Sequence, residues 1–475
     1  MIQAPKLESL LDALRAFEAG WYLTANEDVR ASGMDPYLHF VRHGFAEGRA
    51  PGPDPVPEAG RVFRVLYALS VLSGGTPQTN EDLMGALSAQ ADVPVDCLVL
   101  RCLGRELSLY LYRDGRYLEL RSHTLQQPIA PFPHASEEFD KMAGQWLAEA
   151  GVALVHVRHS ALQSLGLMDA ASTQGIPVVY SFHDYYAACP SVKLLDDNRQ
   201  FCGGRCTASR GECYQELWPD HQVMPLKHES VYKWQGQFAG ALALCSGFVS
   251  TVGAVKNIML DVFPALAGKP FPVIPHGRDF QALASLAAQP GDGEPLRVLV
   301  PGHIAASKGA EILQHLAGMQ ELAHVRWHIL GTLHQDFEHA MPENVVVHGA
   351  YQRGDFQRHV AEIKPHMGAV LSIWPETWCH TLTELWAAGL PVLGFNTGAV
   401  GERLQQSGAG WLAETISPAA IAHTLLHASQ PDVWRQAVEQ VENWQKNGQR
   451  SCAEMAGDYW QLYNRITDAG FRGQN

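Results

Sequence analysis

AVLSIWPETWCHTLTELWAAGLPVLGFN, residues 369–396, sets two short apolar runs on either side of a helix-like stretch. AVLSIWP and PVLGFN have the composition of buried strands, and LTELWAAGL between them has helical spacing. Strand, helix and strand in that order predict a βαβ unit with parallel strands. The connecting turn PETWCHT carries Glu376, and a second glutamate, Glu384, follows eight positions later. In sheets of this kind ligands sit beyond the carboxyl ends of the strands, where this turn lies.

The same alternation extends in both directions. LRVLVPGH (296–303), VRWHILGT (325–332) and NVVVHGA (344–350) precede the turn, each followed by a helical stretch. Upstream, RVFRVLYALS (61–70), DCLVLRC (96–102), VALVHVRHS (152–160) and IPVVYSFHD (176–184) alternate with helices such as TNEDLMGALSA and EEFDKMAGQWLAEA. The Pro/Gly-rich segment SLAAQPGDGEPL (285–296) separates the two series. The expected fold is α/β, with two Rossmann-like domains facing across a cleft and a small helical N-terminal module.

The expected boundaries are 1–58 for the module and its linker, and 59–284 for the first domain with a cysteine-rich insertion at 189–213. The linker takes 285–296, the second domain 297–445, and a last helix at 446–475 crosses back to the first domain. A chain of 475 residues is too long for one ordinary core.

Thirty-five Lys and Arg against 49 Asp and Glu leave a net charge of −14, which argues against nucleic acid as a partner. FAGALALCSGFVSTVGAV (238–255) approaches the length of a membrane span. Its interspersed Gly, Ser and Thr residues read instead as a helix end and a core strand, so no transmembrane segment is expected and at most a peripheral membrane contact. The amphipathic, mixed-charge start is unlike a signal peptide, and nine cysteines without one point to the cytoplasm.

Eight residues of helix span about 12 Å, wider than the ~5–9.5 Å of a glycosidase carboxylate pair. The spacing suits an elongated ligand lying across the helix start, where free amides of Thr381, Leu382 and Thr383 and the helix dipole favour phosphate. A pyrophosphate flanked by a sugar and a ribose would be a nucleotide sugar. Two solvent-facing glutamates satisfy the spacing equally well.

PETWCHTLTELWAAGLPVLGFNTGAVGE resembles the donor-binding signature of retaining GT-B glycosyltransferases of the family 4 type, Glu-x7-Glu before a small-residue helix and a Gly-Leu-Pro-Val strand. The resemblance covers roughly 60–465. It implies that Glu376 contacts donor-sugar hydroxyls, that Glu384 contacts the ribose, and that amides at Thr381 and Leu382, beside His380, receive the pyrophosphate. VLVPGHIAASKGAEIL places Lys308 where the family has a diphosphate-binding lysine, and a surface lysine is the plain alternative. His303 stands where the family usually has arginine; an imidazole cannot chelate as a guanidinium fork does.

Gly75, in the Gly74–Gly75 turn after the first strand, matches the family loop whose bare backbone lets ligand approach. His183, in SFHD at the end of a strand, resembles the histidine that reaches the donor sugar, with a packed core histidine as the alternative. VIPHGRDF (273–280) resembles the family's IPNGVD, with Arg278 replacing an apolar residue. Residues 17–53 resemble a short module found at the front of some bacterial glycosyltransferases, and Trp21, Tyr22, Tyr37, Phe40 and Phe45 read as its own core.

Cys189, Cys202, Cys206 and Cys213 are spaced x12, x3 and x6. They fit a structural zinc site, free thiols or disulfides, and the spacing does not choose among them. With no Asp-x-Asp motif, no cofactor is expected for catalysis. The implied activity is retaining, metal-independent transfer from a nucleotide-sugar donor to a bacterial glycan, lipid-linked glycan or glycoprotein, with Glu376 and His183 at the reacting centre. The alternatives are an epimerase-type GT-B enzyme or a non-catalytic nucleotide-sugar-binding scaffold.

Overall fold

The computed structural model describes residues 7–54, 62–72, 74–206, 213, 215, 217–218, 229–291 and 293–472. Its strands form two sheets. The first contains β1 (Phe63–Leu69), β2 (Val95–Leu103), β3 (Glu106–Arg113), β4 (Arg116–Thr124), β5 (Leu154–His159), β6 (Val178–Phe182) and β7 (Gly247–Ser250), in the spatial order β4-β3-β2-β1-β5-β6-β7. The second contains β8 (Leu296–Ile304), β9 (Val325–Leu333), β10 (Val345–Val347), β11 (Met367–Val370), β12 (Val392–Phe395) and β13 (Gly410–Ala413), in the order β10-β9-β8-β11-β12-β13.

All neighbours in the second sheet run parallel. Its central strands are apolar on both faces because helices cover both, which is why they read as unbroken apolar runs. The predicted α/β class with two Rossmann-like units is what the chain forms.

An antiparallel hairpin, β3 with β4, extends the first sheet beyond β2 and was not among the predicted elements. Asp114 and Gly115 turn it with φ of 51° and 73°, the positive values that a tight two-residue hairpin turn requires. The apolar run at 238–255 divides between the helix Glu229–Ala243, β7 and the start of the helix Gly253–Val262. No described helix is long and apolar enough to cross a membrane.

The N-terminal segment is tied to the first sheet. The helix Leu7–Arg15 buries Leu7, Leu10, Leu11 and Leu14 in the core on one face of that sheet. Arg64, at the start of β1, holds Glu8 at 2.9 Å, Asp12 at 2.6 Å and Asp96 at 3.3 Å. Tyr22 and Phe40 are fully buried and pack with Phe17. On the opposite face lies the last helix, Cys452–Arg472. Its Tyr459 and Tyr463 share a core with β1, and Tyr463 hydrogen-bonds His156 at 2.6 Å. The helices Leu7–Arg15 and Cys452–Arg472 therefore pack against the same sheet.

The carboxyl ends of β1, β6, β8 and β11 converge between the sheets. Contacts across the junction hold the two halves together. The Tyr185 hydroxyl donates to the Pro375 carbonyl at 2.8 Å, and the Thr377 hydroxyl to that of His183 at 2.6 Å. Glu402 accepts the amides of Gly253 and Ala254 at 2.9 and 2.7 Å, capping the helix Gly253–Val262 from the other half. Arg353 grips Asp82 through both guanidinium nitrogens, at 2.8 and 3.2 Å.

Candidate active site

A cleft of about 1160 Å³ opens between the two sheets. Gly75, His183, His303, Lys308, Glu376, His380 and Thr381 all line it. Residues so far apart in the chain meet here because both sheets present their carboxyl ends to the junction.

Glu376 reaches the cleft from the turn after β11. Its carboxylate pairs with the Lys308 ammonium at 2.7 Å and accepts the Ser372 hydroxyl. Burial pulls the lysine pKa down, but the Glu376 charge and hydrogen bond, together with Cys379, hold it above the usual lysine value. The Lys308 side chain is 36% exposed and lines the cleft.

The helix His380–Ala387 begins at Cys379, which has a φ of 66° and turns the chain left-handed into the first turn. Arg403 fastens this turn. Its guanidinium donates to the carbonyls of Trp378 and Cys379 at 2.8 and 3.0 Å and to the Thr383 hydroxyl at 2.7 Å, and it lies over the Trp378 ring. The helix start is thereby fixed at the cleft beside Lys308, an arrangement suited to phosphate oxygens. The side chain of Leu382 is buried beneath the helix.

Gly75 faces His380. A Cβ at position 75 would lie 2.5 Å from the imidazole, so only glycine lets the first half's loop come this close. His303 hydrogen-bonds Thr332 through Nδ1 at 2.7 Å and stands near His334.

The two glutamates have separate partners. Glu384 is buried and is not part of the cleft lining among the described residues. Its Oε1 takes Arg278 at 2.7 Å and its Oε2 takes the Tyr351 hydroxyl at 2.7 Å. Burial, then the Glu384 charge, pushes the Tyr351 phenol far above its usual pKa, so it stays a donor. The arginine that departs from the family motif in VIPHGRDF is thus the counter-charge of Glu384.

Sequence reasoning did not single out His276, which stacks between His183 and His380. Its place in VIPHGRDF, where the family motif has asparagine, is the signal that could have found it. Arg403 and Tyr351 were missed as well, and neither lies in a motif that marks it.

The four cysteines of the insertion line one small cavity, which shares Ser191, Leu195 and Asp196 with the cleft. Burial pushes the Cys189 thiol up to about 12. Among the described residues no three His, Cys, Asp or Glu side chains stand in an arrangement that could hold a metal ion.

Solved structures share this architecture. Sucrose-phosphate synthase from Thermosynechococcus elongatus superposes with a TM-score of 0.55 at 14% identity, over 86% of this chain and 100% of that one. The chain has the GT-B fold. Anabaena HepE, solved with UDP-glucose, gives 0.52 at 12% identity, over 85% and 99%. The catalytic domain of Arabidopsis thaliana starch synthase IV, bound to ADP and acarbose, gives 0.53 at 13%, over 86% and 99%. No protein-family model matches the chain, and no curated protein sequence matches it.

Proposed function

We propose that the chain is a glycosyltransferase that moves a sugar from a nucleotide-sugar donor to a glycan or glycoconjugate, with retention and without a divalent cation. The observation that carries this reading is the convergence of Glu376, Lys308, His183 and the start of the helix His380–Ala387 on one cleft between the sheets.

In this reading the donor diphosphate lies against the amides at Thr381 and the Lys308 ammonium, which stabilise charge on the departing group. Glu376 and His183 hold the sugar hydroxyls. The departing phosphate takes the acceptor's proton on the same face. Glu384, buried behind the cleft lining with Arg278 and Tyr351 on two of its about four lone-pair sites, meets ribose hydroxyls in this reading only once one of those contacts opens to the ligand. The loops of the first half receive the acceptor.

The test is acceptor-dependent release of nucleoside diphosphate from a panel of nucleotide-hexoses in the presence of EDTA, with the product anomer read by NMR. Release with retention is expected. Conversion of the donor to an epimer without acceptor would replace this reading with the epimerase type, and absence of nucleotide binding would replace it with a scaffold.

A further inference from the structure

Three imidazoles from three parts of the chain stack on the wall of the cleft. His183 follows β6 in the first half, His276 lies in the crossover, and His380 opens a helix of the second half. Successive ring centroids are 5.2 and 5.5 Å apart, and each pair of planes is inclined by 14°. All three line the cleft.

His276 is 6% exposed, yet its Nδ1 has no hydrogen-bond partner among the described residues, and neither does Nε2 of His183. Buried ring nitrogens are normally satisfied. Two that are not, in rings lining a ligand-sized cleft, leave the stack with unused capacity to bind a proton.

We infer that this stack takes up a proton when the donor's diphosphate enters the cleft, so that its wall is neutral when empty and cationic when occupied. The inference rests on the nucleotide-sugar reading above.

The charges around the stack explain why the empty site is neutral. Arg158 and Arg403 face His276, and Arg158 faces His183 together with His156 and His159. Arg278, Arg353, Arg403 and Lys308 face His380. Three of these cations have carboxylate partners: Arg278 has Glu384, Arg353 has Asp82 and Lys308 has Glu376. Arg158 and Arg403 bond hydroxyl and carbonyl oxygens instead, and Asp184 is taken by His159 at 2.6 Å. Burial and this positive surplus hold all three imidazoles below the ordinary histidine pKa, His380 at about 3.

A diphosphate diester carries about two negative charges, which oppose the local positive field and favour the imidazolium. Stacked rings this close disfavour a second like charge, so the uptake is about one proton. The proton comes from solvent and rests on a ring nitrogen, where it offsets charge developing on the departing diphosphate.

Calorimetric titration in buffers of different ionisation enthalpy tests this near neutral pH. The probes are UDP-, GDP-, dTDP- and ADP-glucose, whose diphosphate diesters do not themselves titrate in that range. The expected result is uptake of about one proton by the natural protein, with affinity falling up to about tenfold per pH unit as pH rises. His276→Asn should bind with the uptake reduced. Undiminished uptake by His276→Asn, and equally by His183→Asn and His380→Asn, would place the proton outside the stack and overturn the inference. Binding with no proton uptake by the natural protein overturns it too and leaves the donor site standing. Failure of every donor to bind removes both.

Discussion

Arg278 Nη1 stands 2.7 Å from Oε1 of Glu384, and neither side chain is more than 8% exposed. Their union joins the crossover segment to the helix His380–Ala387. Removing one partner from a buried pair leaves an uncompensated charge and costs about 3–5 kcal/mol. Arg278→Leu should therefore lower the thermal midpoint by several degrees, and Arg278→Leu with Glu384→Gln should recover part of that loss. An unchanged midpoint for the single variant would mean the pair does not form.

Lys308→Met should weaken binding of a nucleoside diphosphate in the cleft by about 1.5–3 kcal/mol, the value of a hydrogen bond to a charged group. Equilibrium titration measures it. The raised lysine pKa gives a stability contribution fully present below the unfolded value of ~10.4 and lost only as pH rises through the folded value. Lys308 should accordingly add no pH dependence of stability anywhere near neutrality.

The histidines behave oppositely. His183, His276 and His380 have folded pKa values depressed by burial, so on acidification the unfolded chain binds protons that the native protein refuses. Stability should fall below about pH 6.5, by up to ~1.4 kcal/mol per pH unit for each such histidine. Thermal midpoints recorded from neutral to mildly acidic pH check this, and His276→Asn should flatten the slope.

Gly75→Ala places a methyl group 2.5 Å from the His380 ring. Overpacking of this kind costs about 1–3 kcal/mol. The methyl group should separate the loop from the helix start and weaken nucleotide binding, read by the same titration. His380→Ala in the same chain should recover the lost stability by making room.

Much of the fold is legible in the sequence because the alternation of apolar runs and helices is local. The turn 375–384 marks a βα junction from its own residues, and the cleft-lining positions Gly75, His183, Lys308 and Glu376 each follow a recognisable strand. The hairpin of β3 and β4 went unpredicted although RDGR (113–116) marks its turn. The partners of Glu384 were hidden for another reason. Arg278 is 106 residues away, and only the meeting of the crossover with the second sheet's helices brings the two together. The stacking of His183, His276 and His380 likewise belongs to the junction between the sheets, which no local pattern encodes.

Thermal unfolding against UDP, GDP, dTDP, ADP and CMP tests the donor site most directly, with Lys308→Met alongside the natural protein. A ligand at about 100 times its Kd adds ~2.7 kcal/mol, a rise of several degrees for domains of this size. One nucleoside diphosphate is expected to raise the midpoint of the natural protein and to raise that of Lys308→Met less. No shift with any nucleotide would contradict the nucleotide-sugar reading.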